Sequence, residues 1–230
     1  MTFTVSYPFT WIFRLITIIA IASCQLPTEV EQAQLLEAHL QARENVYPPA
    51  SDMLLMEYSK ELETLADSWA KECNFSLPNL EIHPQYRDLI QNTVLISGVK
   101  PPFTEGLCSW RKEAEKYNYQ DNSCSGVCGH YTQMIWATTD KVGCAMRQCD
   151  GLRSDWDNPQ YLIVCQYSPG GNYVGQKPYE YGPSCSKCPR GHSCYRNQCI
   201  KQPTCNRVHP TLKLKNYKDR AAPECVVFKD

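Results

Sequence analysis

The stretch that decides the fold is Cys128-Gly129-His130-Tyr131-Thr132-Gln133-Met134-Ile135-Trp136-Ala137-Thr138-Thr139, together with residues 161–173, which read YLIVCQYSPGGNY. The second stretch lies largely in a predicted strand over residues 160–167. Its nearly continuous apolar run is typical of a strand buried on both faces. Another strand is predicted over residues 142–149, and residues 151–159 supply the turn between the two. The late part of the chain is therefore predicted to form a strand–turn–strand unit.

Three helices are predicted before this unit. Residues 30–46 place apolar side chains at helical spacing, and Tyr47-Pro48-Pro49 ends that helix because proline disfavours helical geometry in the preceding residue. Ser59 is the predicted N-cap of a second helix that runs to residue 73, and residues 105–117 form a third. Prolines interrupt residues 74–104, which are predicted to be irregular.

The composition excludes some classes of function. The chain has 230 residues and a formal net charge of −1, from 23 basic and 24 acidic residues. This balance gives no broad electrostatic field for a nucleic acid or an anionic membrane, so neither is an expected partner. The 14 cysteines indicate a disulfide framework and an oxidising, extracellular location.

The N-terminus has the pattern of a secretory signal peptide. An apolar run over residues 15–22 is too short to span a bilayer, which takes about 20 residues. We expect a signal peptide over residues 1–22 with cleavage before Ser23, or alternatively as late as before Gln25; an uncleaved anchor is the other interpretation. No integral membrane span is expected later in the chain. Asn74-Phe75-Ser76 is an N-glycosylation sequon, which can be used only in a secreted chain. Asn74 is therefore an expected glycosylation site, although its neighbour Cys73 could hinder glycan transfer.

Further motifs connect the two stretches to a known family. They are Leu35-Leu36-Glu37-Ala38-His39 with Arg43, then Pro48-Pro49-Ala50-Ser51-Asp52-Met53, and the helical set Leu62, Ala66, Trp69, Ala70 and Cys73. In this order, and joined to His130-Tyr131-Thr132-Gln133, they resemble the CAP superfamily of cysteine-rich secretory proteins, venom antigen 5 allergens and plant pathogenesis-related proteins. The resemblance implies an α+β fold, a three-layer α-β-α sandwich over residues 28–181. A small disulfide-rich extension and tail would follow over residues 182–230.

The resemblance also implies a disulfide map. The implied pairs are Cys73–Cys149, Cys144–Cys165, Cys124–Cys128, Cys185–Cys194 and Cys188–Cys199, with Cys205 and Cys225 left to join each other. Cys24 and Cys108 would pair if the signal is cut before Ser23, and Cys108 would be left alone if it is cut before Gln25. A zinc site is the alternative for the cysteines of the extension, but export favours disulfides.

The family's cleft holds two histidines and two glutamates, which in relatives can bind zinc. The resemblance places His130 and Glu113 in this cleft. Leu77 stands where the other histidine is usual, and Gln91 where the other glutamate is usual. Leucine cannot bind a metal, and an amide lacks the basicity of a carboxylate. We therefore expect no metal, no cofactor and no catalytic residue, unless His83 swings in as a substitute.

Lipid binding is the second property that the resemblance implies. Several relatives bind sterols near the loop that is residues 117–124 here, and some hold fatty acids. Tyr117 and Tyr119 are the candidate lipid-binding residues, with packing against the core as the alternative. The predicted function is a secreted, non-enzymatic binding module for a sterol, fatty acid or extracellular or host protein. The alternative is a secreted hydrolase or peptidase that uses His130 and Glu113.

Overall fold

A computed structural model describes residues 26–201. The predicted signal peptide and the expectations for Cys24, Cys205 and Cys225 lie outside the described residues. The helices are α1 Glu29–Glu44, α2 Lys60–Lys71, α3 Thr104–Lys112 and α4 Gly129–Met134, with 3-10 turns at Pro84–Tyr86 and Glu113–Lys116. The strands are β1 Glu57–Tyr58, β2 Ile90–Ser97, β3 Tyr117–Asn118, β4 Ser123–Cys124, β5 Lys141–Gln148, β6 Gln160–Ser168, β7 His192–Tyr195 and β8 Gln198–Lys201.

The main sheet has four strands in the order β1-β5-β6-β2. Strand β6 is antiparallel to both of its neighbours, and Cys165 at its middle faces Cys144 of β5 and Asn92 of β2. Strand β2 corrects the prediction that residues 74–104 are irregular throughout. Its eight residues pair along their whole length with β6, a partner about 70 positions away in sequence. That long-range pairing is absent from any local pattern.

The two faces of the sheet carry separate hydrophobic layers. Ile163, Cys165 and Tyr167 of β6 pack with apolar residues of α1, α3 and α4. Leu162 and Val164, on the opposite face, pack with α2. This alternation follows from the two-residue repeat of a strand, and it confirms the predicted three-layer α-β-α sandwich. Within residues 26–201, no helix has the length and apolar character needed to cross a membrane.

Helix α1 begins at a capping box. The Thr28 hydroxyl accepts a hydrogen bond from the backbone N–H of Glu31, whose carboxylate accepts one from the Thr28 N–H in return. The inner side of α1 buries Arg43 completely. Its guanidinium donates to five backbone carbonyls, those of Leu54, Met134, Trp136, Ala137 and Thr139. Burial lowers the pKa of Arg43 to about 9. Arg43 therefore ties the loop after α1 to the segment after α4.

The other predicted helices differ from the structure mainly in length. Ser59 caps α2 as predicted, its hydroxyl accepting from the N–H of Leu62 at 3.2 Å. The third helix is shorter than predicted, because α3 ends at Lys112 and the chain continues as a 3-10 turn through Lys116. This tightening places Glu113 at the end of α3, facing the start of α4.

The C-terminal extension is docked on the sandwich. In the β7–β8 turn, Arg196 pairs with Glu37 and Glu44 of α1. Backbone hydrogen bonds join Cys199 to Met53 and Leu55, and Ile200 is buried in the core. Because these contacts include bidentate ion pairs and main-chain bonds, the hairpin is fixed against α1 rather than loosely attached.

Five disulfides cross-link the described residues: Cys73–Cys149, Cys124–Cys128, Cys144–Cys165, Cys185–Cys194 and Cys188–Cys199. They are the pairs that the family resemblance implies. Cys108 is disulfide-bonded as well. The bonds link α2 to the end of β5, join β5 to β6, and hold the extension together.

Candidate functional site

The cleft is centred on a pair formed by His130 and Glu113. His130 lies in the first turn of α4, and its Nδ1 is 2.7 Å from Oε1 of Glu113. The backbone N–H groups of His130 and Tyr131 donate to the other carboxylate oxygen, at 3.0 and 3.1 Å. One carboxylate thus receives a ring nitrogen and two main-chain donors. It satisfies N–H groups that a helix start leaves without intrahelical partners.

The electrostatics of the pair follow from these bonds. Burial alone would raise the pKa of Glu113, but the hydrogen bonds from His130 and from the backbone of Tyr131 outweigh it, and the pKa is lowered. Glu113 is therefore ionised at neutral pH. A carboxylate only accepts hydrogen bonds, so Nδ1 of His130 carries the proton that faces it. The His130 ring lies nearly parallel to Trp110, with ring centroids 5.8 Å apart, which fixes its plane.

A buried network of hydrogen bonds connects His130 to helix α1 through Asn92, Tyr167 and His39. Asn92 of β2 donates to the carbonyl of His130 at 3.0 Å and to the hydroxyl of Tyr167 at 3.2 Å. The Tyr167 hydroxyl is 2.9 Å from Nε2 of His39, whose Nδ1 is 2.7 Å from the carbonyl of Leu35. Since a carbonyl can only accept, Nδ1 of His39 is the donor and its Nε2 accepts the tyrosine O–H. Helix α1 and the cleft are thereby linked by consecutive hydrogen bonds.

Gln91 belongs to a different set of contacts. Its carbonyl oxygen accepts from Gln166 at 2.6 Å, and its amide donates to the carbonyl of Ser76 at 3.5 Å. No hydrogen bond within residues 26–201 joins Gln91 to His130 or Glu113. Gln91 and Asn92 are adjacent in β2, so they point to opposite faces of the sheet, and Asn92 is the one that reaches His130.

Leu77 and His83, which were expected to decide metal binding, have no contact with His130 among those found in residues 26–201. The side chain of Leu77 is 67% exposed and sits in the loop after α2. The His83 ring packs edge-on against Trp69 and Tyr86, at centroid distances of 5.3 and 6.3 Å. Trp69 and Tyr86 belong to the layer on the α2 side of the sheet. The His83 ring therefore packs against residues of the layer on the α2 side of the sheet.

The two tyrosines predicted to bind lipid are engaged with the protein. Tyr119 is buried, its hydroxyl donates to the carbonyl of Tyr179 at 2.7 Å, and the two rings stack at 4.6 Å. The Lys177 ammonium lies 4.7 Å from the centroid of the Tyr119 ring. Tyr117 is half-buried, donates to Asn122 at 2.7 Å, and has its pKa raised to about 12 by burial. Of the two, Tyr117 keeps the more open ring.

The cysteines of the extension do not form a metal site. The sulfur atoms of Cys185, Cys188 and Cys199 lie within 4.8 Å of one another, as ligands of a metal would. Each of them is in a disulfide, and a disulfide sulfur lacks the thiolate charge that zinc requires.

The sequence prediction did not identify the residues that close the top of the cleft. Asn172 has a positive φ of 54° and donates to the carbonyl of Gly129 at 2.7 Å, while its side-chain oxygen accepts from the hydroxyl of Thr132 at 2.8 Å. A Cβ on Gly171 would lie 2.4 Å from Cγ of Trp136, so only glycine fits there. The Gly-Gly-Asn run of the second stretch is the signal that could have revealed this contact.

Comparison with known proteins identifies relatives of this fold. Residues 36–167 match the family model described as "CAP: Cysteine-rich secretory protein family". Peptidase inhibitor 16 of Mus musculus is 37% identical over 174 residues, covering 75% of this chain and 34% of the relative. GLIPR1-like protein 1 of Bos taurus is 39% identical, covering 72% of this chain and 69% of the relative. The chain thus spans about a third of the length of peptidase inhibitor 16. The crystal structure of NaASP2 with Zn²⁺ superposes with a TM-score of 0.63 and 29% identity, covering 76% of this chain and 100% of that one.

Proposed function

Because the chain belongs to the cysteine-rich secretory protein (CAP) family, we propose that it acts as a secreted, non-enzymatic binding module. One observation carries the proposal: both oxygens of Glu113 accept hydrogen bonds from the first turn of α4, including one from the His130 ring. A carboxylate held in this way positions α4 and keeps little basicity for proton transfer. The pair then acts as a structural clamp of the cleft.

The residues of the cleft do not fit a zinc ion. A relative of this fold was crystallised with Zn²⁺, so the fit deserves a test on this chain. Catalytic zinc usually has three protein ligands, with histidine the commonest. Here His130 offers one ring nitrogen, Leu77 has no ligand atom, and His83 packs on the other side of the sheet. We therefore derive no chemical step through a metal.

A hydrolase would use the same two residues differently. Glu113 would orient His130 through Nδ1, and Nε2 of His130 would have to take a proton from water or from a nucleophile. Turnover is the discriminating measurement. The secreted chain is incubated with a broad peptide library and an ester panel, beside a His130→Ala variant and a His83→Ala control. The proposal expects no turnover from any of them. Turnover by the parent chain and the control, lost in His130→Ala, would establish the enzyme instead.

The ligand that we propose is a sterol or another lipid, with an extracellular or host protein as a further partner. Support comes from the aromatic rings at the loop of residues 117–124, where Tyr117 lies against Tyr131 and Tyr119 stacks on Tyr179. Aromatic rings form flat apolar surfaces that suit a fused-ring ligand. Tyr117 is the member whose ring is open enough to meet a ligand from solution.

Sterol binding can be tested directly with the purified secreted chain. Labelled sterol is titrated against the parent protein, a Tyr117→Ala variant and a Tyr47→Ala control, since Tyr47 is 89% exposed. The proposal expects saturable binding that weakens in Tyr117→Ala and is unchanged in the control. Absence of saturable binding by the parent would remove the lipid as ligand and leave a protein partner as the proposed target.

A further inference from the structure

The loop after α2 presents Asn74 in a form suited to covalent modification. Asn74 is exposed, and it directly follows Cys73, whose φ of 45° turns the backbone and whose disulfide with Cys149 anchors the loop. The side-chain oxygen of Asn74 accepts from the N–H of Ser76 at 2.9 Å. Among the described residues, the Asn74 side-chain nitrogen donates to no acceptor. The Cys73 bridge, which could have hindered access, leaves Asn74 pointing into a solvent-exposed turn.

The same loop exposes an unusual amount of apolar surface. Phe75 is 51% exposed, Leu77 67%, Leu80 42% and Ile82 70%. The loop is nevertheless ordered by Asn79, which accepts from the N–H groups of Glu81, Ile82 and His83. Several exposed apolar side chains within one short loop are typical of a surface that another group covers.

We propose that Asn74 carries an N-linked oligosaccharide whose inner sugars lie over the apolar side chains of this loop, Phe75, Leu77, Leu80 and Ile82. The donor is a polyprenyl pyrophosphate-linked oligosaccharide of the secretory pathway. The Asn74 side-chain nitrogen forms a bond to C1 of the first sugar and loses a proton. The C1–oxygen bond to the lipid pyrophosphate breaks, and the pyrophosphate leaves with the electron pair. This proposal depends on the proposed function in one respect only, namely that the chain is secreted.

The chemistry of the loop favours a sugar as the covering group. Polar groups of Ser76, Asn79 and Glu81 alternate with the apolar side chains, and a sugar ring offers both C–H faces and hydroxyls. Glu72 and Glu81 carry negative charge at the loop, which disfavours an anionic membrane as the occupant. The attachment point lies within the surface to be covered, so the glycan needs no further tether to reach it.

Occupancy is tested on the full chain secreted by animal cells. Intact mass is measured before and after treatment with peptide-N-glycosidase. We expect the parent and Ser76→Thr, which keeps the sequon, to lose one oligosaccharide on treatment, with Asn74 converted to aspartate. Ser76→Ala keeps Asn74 but removes the sequon, and it should be secreted without the glycan. Secretion of a parent chain that loses no mass would overturn the inference while leaving secretion itself intact.

Shielding is tested with a fluorescent dye that binds apolar surface. Dye fluorescence should be low in the glycosylated parent and should rise when the glycan is absent, in Ser76→Ala. Adding Leu77→Ser and Ile82→Ser to Ser76→Ala should remove the gain, because both side chains are exposed and their replacement leaves the core intact. Equal dye binding with and without the glycan would refute the covering role.

Discussion

Lowering the pH from 7.5 to 5 is expected to destabilise the fold by about 2 kcal/mol through one buried residue, His39. His39 lies in the polar network beneath the cleft, where its Nε2 accepts the Tyr167 hydroxyl proton and its Nδ1 donates to Leu35. Burial, together with the nearby charge of Arg43, lowers its pKa from 6.5 to about 4. A proton on Nε2 would remove the acceptor of the Tyr167 O–H, so the charged ring breaks this hydrogen bond of the network.

The sign of the effect follows from proton binding. Between pH 6.5 and pH 4 the unfolded chain holds a proton on His39 and the folded chain does not. Stability therefore falls as the pH falls through this window, and the loss is complete below pH 4 at roughly 3 kcal/mol. The lowered pKa of Glu113 also makes stability fall with acid, but in a lower window, below its usual value of 4.5. Measurements above pH 5 thus avoid the Glu113 window, and comparison with a variant that lacks His39 separates its effect from that of Asp52, whose pKa is raised by burial.

The assay is urea unfolding followed by tryptophan fluorescence at pH 7.5, 6 and 5. The non-titrating variant His39→Gln should be less stable than the parent at pH 7.5, and its stability should change little down to pH 5. His83→Gln is the matched control, since His83 is only half-buried and lies outside the network. Parallel pH profiles for the parent and His39→Gln would refute the reasoning, whatever their absolute stabilities.

Three further substitutions test the packing around the cleft. Arg43→Met removes the donor of five carbonyls and should cost about 3–5 kcal/mol in urea unfolding, with Arg43→Lys falling between it and the parent. Glu113→Gln loses the charge that three N–H groups share and should cost about 1–3 kcal/mol, whereas exposed Glu115→Gln should change stability by less than about 0.5 kcal/mol. Gly171→Ala should cost about 1–3 kcal/mol by clashing with Trp136; an equal cost for Gly126→Ala, where the added carbon would meet only the flexible Lys116, would contradict that account.

Local patterns in the sequence were enough to predict helices α1 to α3 and strands β5 and β6. Helix α1 has a proline stop after it, and β6 has an uninterrupted apolar run. Strand β2 escaped prediction because its stability comes from pairing with β6, and local propensity says little about a long-range partner. Helix α4 was not predicted, because it has only six residues. Its first turn is held by Glu113, a residue outside the helix that accepts hydrogen bonds from the N–H groups of His130 and Tyr131.

The candidate site also has features that the sequence predicts and features that only the folded chain shows. The family resemblance pointed to His130 and Glu113, which the structure joins by a hydrogen bond, and it also singled out Leu77 and Gln91. The sequence alone could not show that the Tyr117 ring is partly exposed whereas the Tyr119 ring is buried. That difference comes from Tyr179 and Lys177, which lie about 60 residues later and reach the loop only in the folded chain. The hydrogen bond from Asn92 to the His130 carbonyl likewise depends on β2 being in register beside β6.

The hydrogen-bond partners of His130 and Glu113 all belong to the protein itself. His130 is held through its carbonyl, its N–H and one ring nitrogen, and Glu113 holds the first turn of α4. These contacts are all internal to the protein, so they stabilise the sandwich whether or not anything binds. Leu77, by contrast, is exposed in the loop after α2. Substitution of such an exposed side chain costs the fold little, so this loop can carry the apolar surface that we propose the Asn74 glycan covers.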